Sequence, residues 1–261
     1  MEKNDLTLII LAGGDGTRMK PASIITPKPL LSAFDEPLLI RQLRQANEAG
    51  IFNIVVSTNP KDYALVQRTL EQANVKSKVL RNTRHSKGSL AALEFALGEV
   101  SSEHVLMSFA DIYFFENPFK SFCGLSKHTL GISKAFDKKE LSLGGIVFVN
   151  KNYVERIIEK PIKNNKGYRW NGLALFSRSD VTNLSEFLKA SPSNPREGDF
   201  FEYLRKDKKV NFSFLECSDF INVNRPENLM VASLYRFSEV KNEPKILSLA
   251  SDTRRLILNK I

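Results

Sequence analysis

The chain of 261 residues has only two cysteines, Cys123 and Cys217, in no C-x-x-C spacing. A disulfide framework and a cysteine-held zinc are therefore not expected, and a reducing cytoplasm fits. Its three histidines, His85, His104 and His128, form no H-x-x-x-H pair, which argues against a histidine-held metal. No apolar run approaches the roughly 20 residues of a membrane-spanning helix. The run from Leu6 to Ala12 is too short for a signal-peptide core with a cleavage site. Internal repeats, low-complexity linkers and long basic runs are missing too. So are a helix-turn-helix, an aromatic platform and a basic stripe, so the net charge of +9 does not by itself indicate nucleic acid. That charge either favours small anions such as nucleotides and phosphorylated metabolites or reflects a generally basic composition.

Apolar residues make up 42% and charged residues 26% of the chain, the balance of a globular protein able to bury a core. The first half alternates two patterns. Continuous apolar runs, "LTLIILA", "IFNIVVS" and "HVLMSFA", read as strands buried on both faces, with "KSKVLR" a shorter one. Between them "PLLIRQLRQANEAG", "PKDYALVQRTLEQA" and "GSLAALEFALG" read as helices, the first with Pro37 in its opening turn and Gly50 as its stop. This βαβαβαβ order predicts an open α/β sheet. The second half is strand-rich, with "TLGISKA", "GGIVFVN", "YVERIIEK", "GLALFSR" and "KVNFSFLEC", plus helices at "GDFFEYLRKD" and "RPENLMVASLYRF". One continuous domain to residue 237 is expected, with residues 238–261 a helical tail. In that tail Ile246, Leu249, Ala250, Thr253, Leu256, Ile257 and Ile261 recur at helical spacing, a face for the domain or for a partner chain, so a homodimer stays open.

The densest feature is "LAGGDGTRMKPASIITPKPLL", in which Gly13, Gly14 and Gly16 fall within four positions. It is not the dinucleotide fingerprint: Met19 stands where the third glycine should be, and Pro21, Pro27 and Pro29 preclude the helix that should follow. Nor does it supply the G-x4-G-K-[ST] of a P-loop. Its residues suit a different cradle. Glycine backbone N–H groups can approach phosphate oxygens, and Arg18 adds a fork-shaped donor. An extended, proline-stiffened segment would return Lys28 to the same anion. For the loop alone, a triphosphate cradle and a glycine turn with ordinary surface basics both stay open.

At this point the sequence resembles the sugar-1-phosphate nucleotidyltransferases, which include glucose-1-phosphate thymidylyltransferases and mannose-1-phosphate guanylyltransferases. The stretch matches their L-A-G-G-x-G-T-R-[LM] followed by P-K-P-L. Further matches occur in family order over about residues 7 to 237. The resemblance implies a Rossmann-like mixed sheet of the glycosyltransferase-A type, with helices on both faces. It implies nucleotide binding by Leu11, Ala12, Gly13, Gly14, Gly16 and Thr17, with Gly88 of "KGSLAAL" approaching the base. Arg18, Lys28 and Lys160 would act on phosphates. "IIEKP" nominates Glu159 for sugar hydroxyls beside Lys160, "GGIVF" nominates Gly145, and "WNGLALF" nominates Asn171 and Gly172. Asp111, at a strand end, would bind Mg²⁺; the family's preceding glycine is Ala110 here. "INVNRPENL" resembles D-x-G-T-P-E-D-L, so Asn222 replaces a metal-binding aspartate and Asn224 a glycine.

Plainer readings stand beside these. Asp111 can simply turn the chain after a strand, Asn222 can sit in an Asn-rich turn before a helix, and "EKP" can be a charged strand end. Taken together, the resemblance implies a Mg²⁺-dependent enzyme that joins a sugar 1-phosphate to the nucleoside monophosphate of an NTP, releasing pyrophosphate. It implies no nucleic-acid or membrane partner. The alternatives are a cytidylyltransferase acting on a non-sugar phospho-alcohol such as phosphocholine, and a catalytically silent nucleotide-sugar sensor. Base choice would rest on the segment from Thr83 to Gly88.

Overall fold

The computed structural model describes residues 5–161, 166–191 and 195–260. The first half comprises β1 (Leu6–Leu11), β2 (Ser32–Ala33), β3 (Glu36–Pro37), α1 (Leu38–Glu48), β4 (Ile54–Thr58), α2 (Tyr63–Gln72), β5 (Lys78–Arg81), α3 (Ser89–Leu97), β6 (His104–Phe109), β7 (Ile112–Phe114) and α4 (Phe119–Phe122). The second comprises β8 (Thr129–Ser133), β9 (Gly145–Asn150), β10 (Tyr153–Glu159), β11 (Tyr168–Ser177), α5 (Asp180–Ala190), α6 (Glu197–Lys206), β12 (Ser213–Glu216), β13 (Phe220–Asn222), α7 (Pro226–Lys241) and α8 (Pro244–Asn259).

One nine-stranded sheet runs β10-β9-β11-β6-β1-β4-β5, with β8 pairing β11 and β12 pairing β8 off that path. β6, β1, β4 and β5 are mutually parallel, whereas β11 enters antiparallel to β6, and β9 and β10 continue antiparallel. The mixed α/β sheet expected from the sequence is therefore the fold. In β1, Ile9 and Leu11 join the core under α3, α5 and α6, while Leu6, Leu8 and Ile10 join the core under α1, α2 and α4. Burial on both faces is why this strand carries no polar alternation.

Three parts of the second half depart from the sequence pattern. α5 is not announced, because its Asp-Val-Thr-Asn start reads as a loop and only Asp180 and Leu184 of it are buried. β7 and β13 form a separate antiparallel ribbon with Asn222 opposite Ile112. α7 runs on through residue 238, where the tail was expected to begin, so the last helix is α8, and its buried stripe is rotated from the expected one. Ala250, Arg254 and Leu258 face inward, while Leu249 and Leu256 are 51% and 64% exposed. Ile261 lies outside the described residues.

An arginine explains the rotation. Arg254 is 5% exposed and sits in a square with Arg169, Glu140 and Asp219. Its Nη2 lies 2.7 Å from Glu140 Oε1 and its Nη1 2.6 Å from Asp219 Oδ2. Arg169 Nη1 closes the square at 2.7 Å from Glu140 Oε2 and 3.3 Å from Asp219 Oδ1. A count of apolar residues skips this position, although two cations matched by two carboxylates bury it without net charge. α8 thereby packs on α7 of its own chain, and Tyr235 Oη and Ser251 Oγ meet at 3.1 Å.

Candidate active site

The parallel strands β1 and β6 end side by side, and a continuous groove opens at their carboxyl ends, where open α/β sheets hold ligands. Its narrow end, of about 160 Å³, is lined by Leu11, Ala12, Gly13, Gly14, Lys28 and Asp111, with His85 and Ser89. Its wide end, of about 390 Å³, is lined by Gly88, Gly145, Glu159, Lys160, Gly172 and Asn222, with Trp170 and Glu197. Ser89, Phe109 and Asp111 line both ends. Residues read separately in the sequence thus share one groove, and Asp111 stands at its midpoint.

The glycine loop reaches the groove by a route the sequence does not give. Its proline segment is not extended. It coils through three 3-10 turns, Thr17–Met19, Ala22–Ile24 and Lys28–Leu30. The restricted φ of proline suits such tight turns as well as extended chain. Gly16 joins the two halves of the loop. Its φ is +61°, and a Cβ there would stand 3.1 Å from Lys28 Cβ and 3.2 Å from Ser23 Cβ. Ser23 Oγ donates to Gly16 O at 2.6 Å. Glycine here therefore supplies both the left-handed turn and the close approach of Lys28.

Lys28 is buried, and its Nζ donates to Asp111 Oδ2 and, at 2.8 Å, to Asn224 Oδ1. Arg18 Nη2 donates to the same Asn224 oxygen at 3.3 Å. Arg18 itself lines a neighbouring recess with Asn222, Asn224 and Arg225. Thr17 is exposed, and neither it nor Gly16 lines the groove. Val223 N donates to Asp111 O at 2.8 Å, which sets Asn222 beside Asp111. Asp111 and Asn222 together offer a carboxylate and an amide oxygen. These are hard donors that fit Mg²⁺, which takes few protein ligands and keeps waters or phosphates on its other positions. Among the described residues the one cluster of three His, Cys, Asp or Glu side chains is Asp5, Glu103 and His104. It lies at the amino ends of β1 and β6, the far side of the sheet from the groove.

The wide end is built around a carboxyl. Glu159, at the end of β10, is packed between glycines: a Cβ on Gly145 would stand 3.2 Å from its Oε2, and one on Gly198 would stand 2.5 Å away. Burial and the neighbouring Glu197 charge raise the Glu159 pKa above the ordinary carboxyl value. Lys160 follows at φ +42° with its N donating to Gly144 O at 3.2 Å. Burial, then the charge of Arg196, lowers its pKa. Gly172 has φ +85°, and a Cβ there would stand 2.3 Å from Ile112 Cδ1. Asn171 is not brought to the groove. It is fully buried, its side chain lies against Gly131, and its Oδ1 accepts from Leu173 N at 3.1 Å.

Several groove residues went unread in the sequence. Ser89 follows Gly88 but belongs to no charged motif, and His85 was read only as part of the segment Thr83 to Gly88. Glu197 and Arg196 begin α6 in "NPREGDFF", where acidic residues also serve as ordinary first-turn helix charges. The signal available was a carboxyl on the apolar side of that helix, next to Phe200 and Phe201.

A loop of glycines and a returning lysine thus meet a second polar cleft at one aspartate on an α/β sheet, with Arg18 in the recess beside them. The family model "Nucleotidyl transferase" matches residues 7–219, and the chain belongs to that family. Mannose-1-phosphate guanyltransferase of Saccharomyces cerevisiae is 27% identical over 252 residues, covering 92% of this chain and 67% of that protein. Among solved structures, a putative glucose-1-phosphate thymidylyltransferase from Bacillus anthracis superposes with a TM-score of 0.75 at 19% identity, over 87% of this chain and 94% of that one. The inositol-1-phosphate CTP transferase from T. maritima superposes with a TM-score of 0.74 at 18% identity, over 87% and 95%. The protein is a nucleotidyltransferase, and the family resemblance read from its motifs holds. Among the described residues no helix is long and apolar enough to cross a membrane.

Proposed function

We propose that the protein makes a nucleoside diphosphate sugar from an NTP and a sugar 1-phosphate, releasing pyrophosphate, and that it needs Mg²⁺. The observation that carries this reading is the single groove with Asp111 at its midpoint. The glycine loop and Lys28 hold the triphosphate at one end; Lys160 and Glu159 hold the acceptor at the other. An oxygen of the acceptor phosphate attacks the α-phosphorus in line, the bond from the α-phosphorus to its bridging oxygen breaks, and pyrophosphate leaves. Lys28 exchanges Asp111 for phosphate oxygens, and Arg18 steadies the leaving pyrophosphate. Lys160, whose ammonium is already disfavoured by burial, gains an anionic partner when the acceptor phosphate arrives. Asp111 and Asn222 would hold the Mg²⁺, which when bound neutralises phosphate charge. Two free cysteines, one of them exposed, suit a reducing cytoplasm.

Guanylyl transfer to mannose 1-phosphate is the leading pairing, supported by the likeness to the yeast mannose-1-phosphate guanyltransferase. Cytidylyl transfer is the second, favoured by the likeness to the inositol-1-phosphate CTP transferase. The deciding measurement is pyrophosphate release from each NTP against a panel of sugar 1-phosphates, inositol 1-phosphate and phosphocholine, with Mg²⁺ or EDTA. Turnover for one NTP–sugar pair with Mg²⁺ alone is expected. Tight nucleotide-sugar binding with no turnover across the panel would identify a sensor instead.

A further inference from the structure

Glu197 is the first residue of α6 and lines the wide end of the groove. It is 8% exposed, and among the described residues no donor reaches its Oε1, which is itself out of contact with solvent. The hydroxyl of Ser89 beside it and its own backbone N–H give the carboxyl some support, yet burial still raises its pKa. The helix does not require this carboxyl as a cap. Asp199 fills that role, its Oδ2 accepting from Arg196 N at 3.2 Å. Nor does Arg196 neutralise it by pairing, since that guanidinium lies 3.6 Å from Glu159 Oε1 instead. A buried acceptor with no partner costs stability. Next to a second, half-buried carboxyl, Glu159, the cost is compounded by like charge. A ligand that donates to Oε1 would offset it.

We propose that Glu197 is a specificity residue of the acceptor end: its Oε1 accepts a hydroxyl of the phosphorylated acceptor, next to the hydroxyl taken by Glu159. This rests on the transfer reaction proposed above. Two carboxyls side by side select a polyhydroxylated acceptor. Phosphocholine has no hydroxyl to give Oε1.

The test compares wild type with Glu197→Gln and Glu197→Asp, using mannose 1-phosphate, its monodeoxy analogues and inositol 1-phosphate. Binding is read by calorimetry and turnover by pyrophosphate release. Glu197→Gln is expected to raise the acceptor Kd and KM about tenfold or more, the scale of one hydrogen bond to a charged group. The NTP KM should stay within about twofold, and the melting temperature should not fall. One monodeoxy analogue should lose about tenfold in wild type and clearly less in Glu197→Gln, whose amide oxygen accepts only an uncharged bond, the coupling that a positional contact requires. Should Glu197→Gln not fold, Glu197→Asp, which keeps the charge but withdraws the carboxyl, should show the same pattern. An unchanged acceptor KM, or NTP and acceptor KM rising together, overturns the proposal, as does an equal loss in variant and wild type for every deoxy analogue. Binding that depends on Glu197 with no turnover overturns the transfer reaction and leaves this assignment standing. No binding of either phosphate to wild type overturns both.

Discussion

Lys28 and Asp111, 83 positions apart in sequence, form an ion pair at the midpoint of the groove. The lysine thus lies on the carboxylate that the proposed reaction assigns to a metal. Substrate phosphates offer this ammonium a stronger set of charged acceptors. The pair balances the charges of both groups, and in the proposed reaction the triphosphate takes over the ammonium.

Replacing either partner tests that role. Lys28→Met and Asp111→Ala should each lower turnover by roughly 10²-fold or more, and Arg18→Ala should do the same. Circular dichroism and melting should show an intact fold, since the Asp111 side chain is 29% exposed. Near-wild-type turnover in Asp111→Ala would remove the metal assignment.

Gly16→Ala should lower stability by roughly 1–2 kcal/mol from the left-handed backbone alone. The 3.1 Å approach to Lys28 Cβ adds to this. The displaced loop should raise the NTP KM more than the acceptor KM. Steady-state kinetics with each substrate varied in turn separates the two.

Arg254→Ala removes one corner of the buried square with Glu140, Asp219 and Arg169. Leaving carboxylates uncompensated should cost about 3–5 kcal/mol, read as a lower denaturant midpoint. Arg255→Ala, on an exposed arginine of the same helix, should cost less than about 0.5 kcal/mol.

Stability should also respond to pH through Glu197. Its carboxyl is raised by burial and faces the Ser89 hydroxyl, Arg196, Lys160 and Glu159. A carboxyl raised in the folded state binds its proton more tightly there. Its stabilising contribution is complete below the unfolded value of about 4.3 and is lost as pH rises through the folded value. Glu197→Gln should therefore melt close to wild type near pH 4 and increasingly above it toward pH 8, in the absence of acceptor. A constant difference across that range would place the strain elsewhere.

The order of the parallel half was legible because each buried strand is a continuous apolar run closed by a turn residue, and each helix has its own periodic face. The glycine loop and Lys28 stood out as charged residues in proline- and glycine-bounded turns, whereas Asp111, Glu159 and Lys160 were nominated only through the family resemblance, because a strand-end carboxylate or a charged strand end reads the same without it. Asn171 was misleading. It lies inside a motif, yet its side chain packs against Gly131 of the neighbouring strand β8, where the register shifts.

What the sequence determined by itself is local: periodicity, turn chemistry and the backbone freedom of glycines such as Gly16 and Gly172. Which charges share a site was decided only by tertiary structure. The side-by-side ends of β1 and β6 bring the loop to Asp111, β13 sets Asn222 beside it, and the start of α6 brings Glu197 to Glu159. α8 likewise rotates its buried face because Arg254 finds Glu140 and Asp219. A buried charge is tolerated according to the partners it meets, and those partners come from elements far apart in the chain.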